Sequence, residues 1–393
     1  MVAAVMKSQA APSYLSFPQI FVLGLLALLA LSGLLDLADP LALRSVNLHH
    51  LWAAMGLLVV LLHGRFYMPP LIITQFFVAA ILISIFAYVT FGFHPAFINL
   101  LYCFYLLLLG MVCTRMLAAN DLRRAMEWAG SVILAAITLK NFFYMGEIAA
   151  AIGQLQDRVF VPTVVAGGTN MEATFALFAA LFLRRSRFYW LVCTYAFVLA
   201  IIYSSRVAMV GAAIVFLYDV FSVQGASRDL LWRQVRMALL VLAALVGLGW
   251  ILSSPVVQFA IERFQNIGYE PGSIGRLVMW QTAPELILSH PMGVGAGHAT
   301  DQLSLLIGMP VLEDNVHNIF LQVLLDLGIL GLVSYVIMIV AVARRALPNL
   351  DHPLWLAIAL YGLMGMLQFR AYDPFIFFWL GLMWDAQRSE KAP

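Results

Sequence analysis

Residues 71–91 read LIITQFFVAAILISIFAYVTF, a run of 21 positions with no charge and no proline. A helix rises about 1.5 Å per residue, so this run reaches roughly 30 Å, the thickness of a bilayer's hydrocarbon core. Hydrocarbon offers the backbone no water, and a helix satisfies its N–H and C=O groups within its own segment. The run therefore predicts a transmembrane helix.

Comparable blocks flank it on both sides, at about 18–35, 46–63, 96–113, 127–145, 169–183, 188–205, 207–221, 238–252, 317–343, 354–369 and 374–385. The sequence thus predicts an all-α polytopic membrane protein with about twelve transmembrane helices, forming a single integral membrane domain over residues 1–393. Composition agrees: 63% of the residues are hydrophobic and 11% charged, where a soluble domain carries about 25% charged residues. A membrane β-barrel would show short alternating segments, and these blocks are continuous. A formal net charge of +2 gives no basis for nucleic-acid binding. Cys103, Cys113 and Cys193 all sit in apolar blocks with no CxxC pair and read as small core residues. A single Lys7 precedes the first block with no small-residue cleavage site, so that block is expected to be retained.

Basic residues set the orientation. If the N-terminus is cytoplasmic and every block crosses, Arg115, Arg123, Arg124, Arg184, Arg185, Arg187, Arg228, Arg233, Arg236, Arg344, Arg345, Arg388 and Lys391 all fall inside. The outer side keeps only Arg44, Lys140, Arg158, Arg206, Arg263, Arg276 and Arg370. That bias follows the positive-inside rule and places both termini in the cytoplasm. Two outer segments exceed plain turns: 146–168, and 253–316, the largest piece outside the membrane. Within the latter, 273–290 reads as a helix lying on the membrane surface through Ile274, Leu277, Val278, Leu286 and Ile287, with Pro284 as a kink.

Basic residues on the outer side are the ones this rule leaves unexplained. Arg206 sits in Ser204-Ser205-Arg206, a tight link between two spans; it is either a snorkelling anchor or a guanidinium held as an anion clamp. Arg276, in Gly275-Arg276-Leu277-Val278-Met279-Trp280, is either a solvated loop residue or a second clamp, and Arg370 and Arg263 follow the same logic. His317 is expected to open the tenth span. On a continuous helix Gly328 would lie about 20° from it and Gly331 about 40° to the other side, so one stripe would carry an imidazole above two small residues. Gly293-Val294-Gly295-Ala296-Gly297-His298 follows no strand of a βαβ unit, which leaves a sharp turn or a close approach to phosphate. Glu313, Asp314 and His317 do not complete a metal set, so no metal or other cofactor is expected. Asp326, about nine residues into a span, needs a partner or a proton.

Together these pieces resemble the superfamily of O-antigen ligases and O-antigen polymerases. Ser205-Arg206 opens a span, Gly275-Arg276 and Trp280 lead into His290-Pro291-Met292-Gly293-Val294-Gly295, and Asn170 follows the earlier outer loop. His317-Asn318, nine residues and then Gly328-Ile329-Leu330-Gly331 match the superfamily's His-Asn-x9-Gly-x-x-Gly pattern. The spacing of Arg206, Arg276 and His317 is most similar to the ligases, although Leu332-Val333-Ser334 lacks the threonine or tyrosine found there in some of them.

The resemblance implies a multi-pass protein of the bacterial inner membrane with a periplasmic active site, the 253–316 segment being a large periplasmic loop with interfacial helices. It implies a donor glycan on undecaprenyl diphosphate, embedded in membrane lipid, and a lipid A-core acceptor. Arg206, Arg276 and Arg370 would bind diphosphate or glycan, His317 would serve as general base, and Asn318 would orient it. Diphosphate is already a good leaving group, so neither ATP nor metal is needed, and direct displacement would invert the anomeric centre. Two readings stay open: a polymerase with a second lipid-linked repeat as acceptor, and a lipid-linked glycan transporter, against which no internal repeat is visible.

Overall fold

The computed structural model describes residues 15–33, 36–37, 46–62, 69–153, 161–165, 167–184, 186, 188–203, 205–221, 271–311, 315–346, 353–366 and 372–385. Fourteen helices run along these residues: α1 (Phe17–Ala30), α2 (Leu48–Leu62), α3 (Leu71–Phe91), α4 (Ala96–Met116), α5 (Ala119–Phe143), α6 (Met145–Gly153), α7 (Thr169–Phe182), α8 (Tyr189–Ile202), α9 (Arg206–Phe221), α10 (Pro271–Ser289), α11 (Ala299–Ile307), α12 (Ile319–Ala346), α13 (Pro353–Gly365) and α14 (Pro374–Asp385). A two-residue antiparallel pair, Asp36–Leu37 with Val46–Asn47, is a small strand element the apolar blocks did not signal. Eleven of the twelve expected spans coincide with helices α1–α5, α7–α9 and α12–α14; the block at 238–252 lies outside the described residues. Among the described residues, α3, α4 and α12 are long and apolar enough to cross a membrane alone, while α1, α8, α9, α13 and α14 are apolar but shorter.

The helices bury one apolar face and present another. On α3, Ile73, Phe76, Phe77, Ala80 and Ser84 are buried while Leu71, Leu82, Phe86 and Val89 point outward. A soluble helix would place polar side chains on that outer face; apolar ones suit contact with lipid. The short apolar helix α14 is largely enclosed. Phe375, Phe377, Phe378 and Trp379 are buried to within 1%, and Phe375, Phe377 and Trp379 pack against Phe76, Phe77, Phe175 and Phe178 from α3 and α7.

Small residues allow α14 and α4 to touch along their backbones. A Cβ on Gly381 would fall 2.1 Å from the Leu107 oxygen, and one on Gly110 would fall 2.3 Å from the Phe378 oxygen. The Thr114 hydroxyl donates to the Leu382 carbonyl at 2.9 Å in the same seam. Without a hydrophobic driving force between helices in lipid, this close packing and the hydrogen bond supply the attraction. Cys103 and Cys113 are core residues, as expected.

Outside the main bundle, α10 and α11 build a second, smaller core. Met279, Ala283 and Leu286 of α10 pack with Val294, Ala299, Leu303, Val316 and Leu325. Of the five residues expected to face the membrane surface, Leu286 and Ile287 instead face this core, whereas Ile274 and Leu277 are exposed. The helix continues through Pro284, which lies on its exposed face.

Candidate functional site

The site is built where α12 begins and, nine residues later, breaks. His317 does not open the helix as expected. It precedes it, in the left-handed region at φ 57, which is sparsely populated by residues other than glycine. The chain around it is pinned at every position. Asn315 Oδ1 accepts the His317 N–H at 2.9 Å, and Gln322 Oε1 accepts the Val316 N–H at 3.4 Å. Trp280 Nε1 donates to the Val316 carbonyl at 2.9 Å. Asn318 Oδ1 accepts the Leu321 N–H at 3.0 Å, capping α12 in the manner of an N-terminal asparagine. Asn315, which the sequence reading did not single out, is thus the residue bonded to the His317 backbone, and Asn318 is a helix cap.

Gly328 is also placed differently from the expected stripe. It sits at φ 65 and ψ −171, a conformation no helix contains, so α12 is two helical pieces joined at a kink. His317 and Gly328 therefore do not share a helical face. Geometry counted at 100° per residue fails because neither residue is helical.

The glycine-rich loop fills this break. Gly293, Gly295 and Gly297 all have φ between 84 and 91, so the stretch is the sharp turn, as one of its two readings held. Its amides are spent on protein: Val294 N–H donates to the Leu325 carbonyl at 3.1 Å and Gly295 N–H to the Asp326 carbonyl at 2.7 Å. In return Ile329 N–H reaches the Pro291 carbonyl at 3.3 Å. A helix broken in the membrane must satisfy its freed backbone groups elsewhere, and this loop does so. Asp326, fully buried, receives the partners it needed: the Ala299 N–H at 3.1 Å on Oδ1 and the Tyr372 hydroxyl at 3.2 Å on Oδ2.

Two arginines lie on helices linked to this turn, one directly and one through α13. Arg276 lies one helical turn before Trp280 on α10, so the Trp280–Val316 bond ties the helix bearing Arg276 to the residue that precedes His317. Arg206 is the first residue of α9, half-buried, with Ser205 Oγ accepting the Ala208 N–H at 3.4 Å. A cation gains nothing from the positive end of a helix dipole, whereas an anion placed there is attracted by guanidinium and amides together. Helix α13 bridges α9 to the histidine turn. A Cβ on Gly211 would stand 3.0 Å from Met364 Cε, and one on Gly365 would stand 2.3 Å from Ile319 Cδ1. Arg370, Arg263, Glu313 and Asp314 lie outside the described residues.

Beside Arg206 lies a polar cluster that sequence reasoning missed. Lys140 Nζ stands 2.5 Å from Glu172 Oε1, and both side chains are buried. The signal was visible: a lysine and a glutamate inside apolar blocks, where ionisable groups are costly. Lys140 was counted only as an outer-side charge, and nothing linked it to a carboxylate 32 positions on.

Among the described residues the fold is thus an apolar helical bundle, three of whose helices are long enough to cross a membrane, with the helix of Arg276 tied to the turn of His317. Residues 173–336 match the family model described as O-antigen ligase. This stretch, which contains Arg206, Arg276, His317 and Gly328, is thus similar to the O-antigen ligase family. The search of curated proteins found no match.

Proposed function

We propose that this protein is an inverting glycosyltransferase of the O-antigen ligase type, moving a glycan from undecaprenyl diphosphate to lipid A-core at the periplasmic face of the inner membrane. The observation that carries the reading is the Trp280–Val316 bond, which brings an arginine-bearing helix to a histidine held on a rigid turn. The reaction has two needs. Charge growing on the departing diphosphate calls for fixed cations, which Arg206 and Arg276 supply as always-protonated bidentate donors. The attacking sugar hydroxyl must lose a proton, which suits an imidazole titrating near working pH, so His317 is the general base. Holding that imidazole on a backbone with every neighbour hydrogen-bonded favours reaction by fixing its direction before substrate arrives.

Purified protein given lipid-linked glycan and lipid A-core should transfer without ATP and in the presence of chelator; failure in that assay sinks the reading, and transport without transfer replaces it. Deleting the protein from its cell should leave full-length polymer on the carrier beside bare lipid A-core. Cores capped with one single repeat would instead make it the polymerase, with a second lipid-linked repeat as acceptor.

A further inference from the structure

Arg206 opens α9 directly after the three-residue joint from α8, and such a joint has little packing of its own to fix its direction. What holds it lies on both sides. Before it, the Tyr203 hydroxyl accepts from Lys140 Nζ at 2.7 Å, donates to Glu172 Oε1 at 2.8 Å and touches Asn141 Oδ1. Within it, Ser205 Oγ reaches the Asn170 carbonyl at 3.5 Å, and Ser205 N–H bonds the Ala200 carbonyl at 2.8 Å. Both anchors end on the first turn of α7, where Glu172 also accepts the Val164 N–H at 2.8 Å. Three helices and one outer loop thus converge on one fully buried carboxylate whose two oxygens are both engaged.

Resting on the transferase reading above, we propose that Lys140, Glu172 and Tyr203 are positioning residues that aim Arg206 at the donor's diphosphate. The physical ground is cost. A buried ion pair repays its desolvation only with good geometry and filled hydrogen-bonding capacity, and a hydrophobic trio would have packed the same space at no such penalty. What the polar trio adds is direction: a lysine, a carboxylate and a phenol bond at fixed angles, so the α8 end meets α7 in one register. The lysine charge is already neutralised by Glu172, so it aims Arg206 without competing with it for the anion.

The test is a double-mutant cycle read by binding of undecaprenyl diphosphate, carrying no glycan, to the purified full-length protein in detergent. Tyr203→Phe keeps the ring and the Lys140–Glu172 pair and removes only the hydroxyl. It should weaken binding about tenfold, the scale of one lost charge-assisted hydrogen bond, in a protein that still folds. In an Arg206→Ala background the same change should cost nothing further, because Tyr203 acts through Arg206. If Tyr203→Phe does not fold, the paired change Lys140→Met with Glu172→Gln, which removes both charges at once, goes through the same cycle. Losses that add, or a Tyr203→Phe protein binding like wild type, overturn the proposal, as does a wild type that binds no diphosphate lipid. A wild type that binds it but transfers no glycan defeats the transferase reading and leaves the cycle legible.

Discussion

Gly293 and Gly328 meet backbone to backbone. A Cβ on the first would fall 2.5 Å from the Gly328 nitrogen, and one on the second 2.5 Å from the Pro291 oxygen. Neither neighbour is a side chain that could swing away. Each glycine is also at positive φ, so a substitution would be strained even in open space.

Gly328→Ala should therefore lower stability by about 1–3 kcal/mol, enough to be read as a fallen melting temperature in detergent. Gly362→Ala is the control. Gly362 lies within α13 with open space around it, and alanine there should be neutral or slightly stabilising. Equal behaviour of the two variants would dissolve the interlock as a structural feature.

Trp280→Phe keeps an apolar ring at the α10 surface and removes the donor to the Val316 carbonyl. The loss of one such bond is worth about 1 kcal/mol in stability. Its effect on transfer should be larger than that, on the order of tenfold, because the turn that aims His317 loosens. Transfer at the wild-type rate would mean that this bond does not set the site.

His317→Ala should abolish transfer, by roughly 10²–10⁴-fold, in a protein that still folds and inserts. Arg206→Lys and Arg276→Lys keep the charge and lose the fork, and each should be strongly impaired in transfer assays. Wild-type rates in both lysine variants would reduce the arginines to general positive charge.

Reporter fusions should place residues 225–235 and the C-terminus in the cytoplasm and residues 265–300 outside it. A cytoplasmic signal from the latter would put Arg276 and His317 in the wrong compartment for the donor.

The helices were legible because an apolar block of 15–25 residues has few other ways to satisfy its backbone in lipid, and α1 through α5 lie close to their expected positions. The site was legible only as a set of residue types. His317, Arg276 and Arg206 stand out as polar groups expected on the outer side. The geometry was not legible, since regular helix counting assumes dihedrals that His317 and Gly328 do not have. Glycine spacing gave the break's address without its meaning, which comes from a loop some 35 positions upstream filling it. The Lys140–Glu172–Tyr203 cluster escaped because its members come from three different helices, and pairing across a fold leaves no periodic trace.

The seam between α4 and α14 has a bearing on biogenesis. The Thr114 hydroxyl waits for a carbonyl 268 positions later, and a ribosome adding about 5–20 residues each second needs on the order of ten seconds or more to supply it. Throughout that interval the glycine notch at Gly110 must face lipid or an insertion chaperone. The bundle is a keystone assembly, closed by α14. A nascent chain halted before residue 374 should therefore remain protease-sensitive in α4 however long it is given, and early protection there would show that the first helices lock without it.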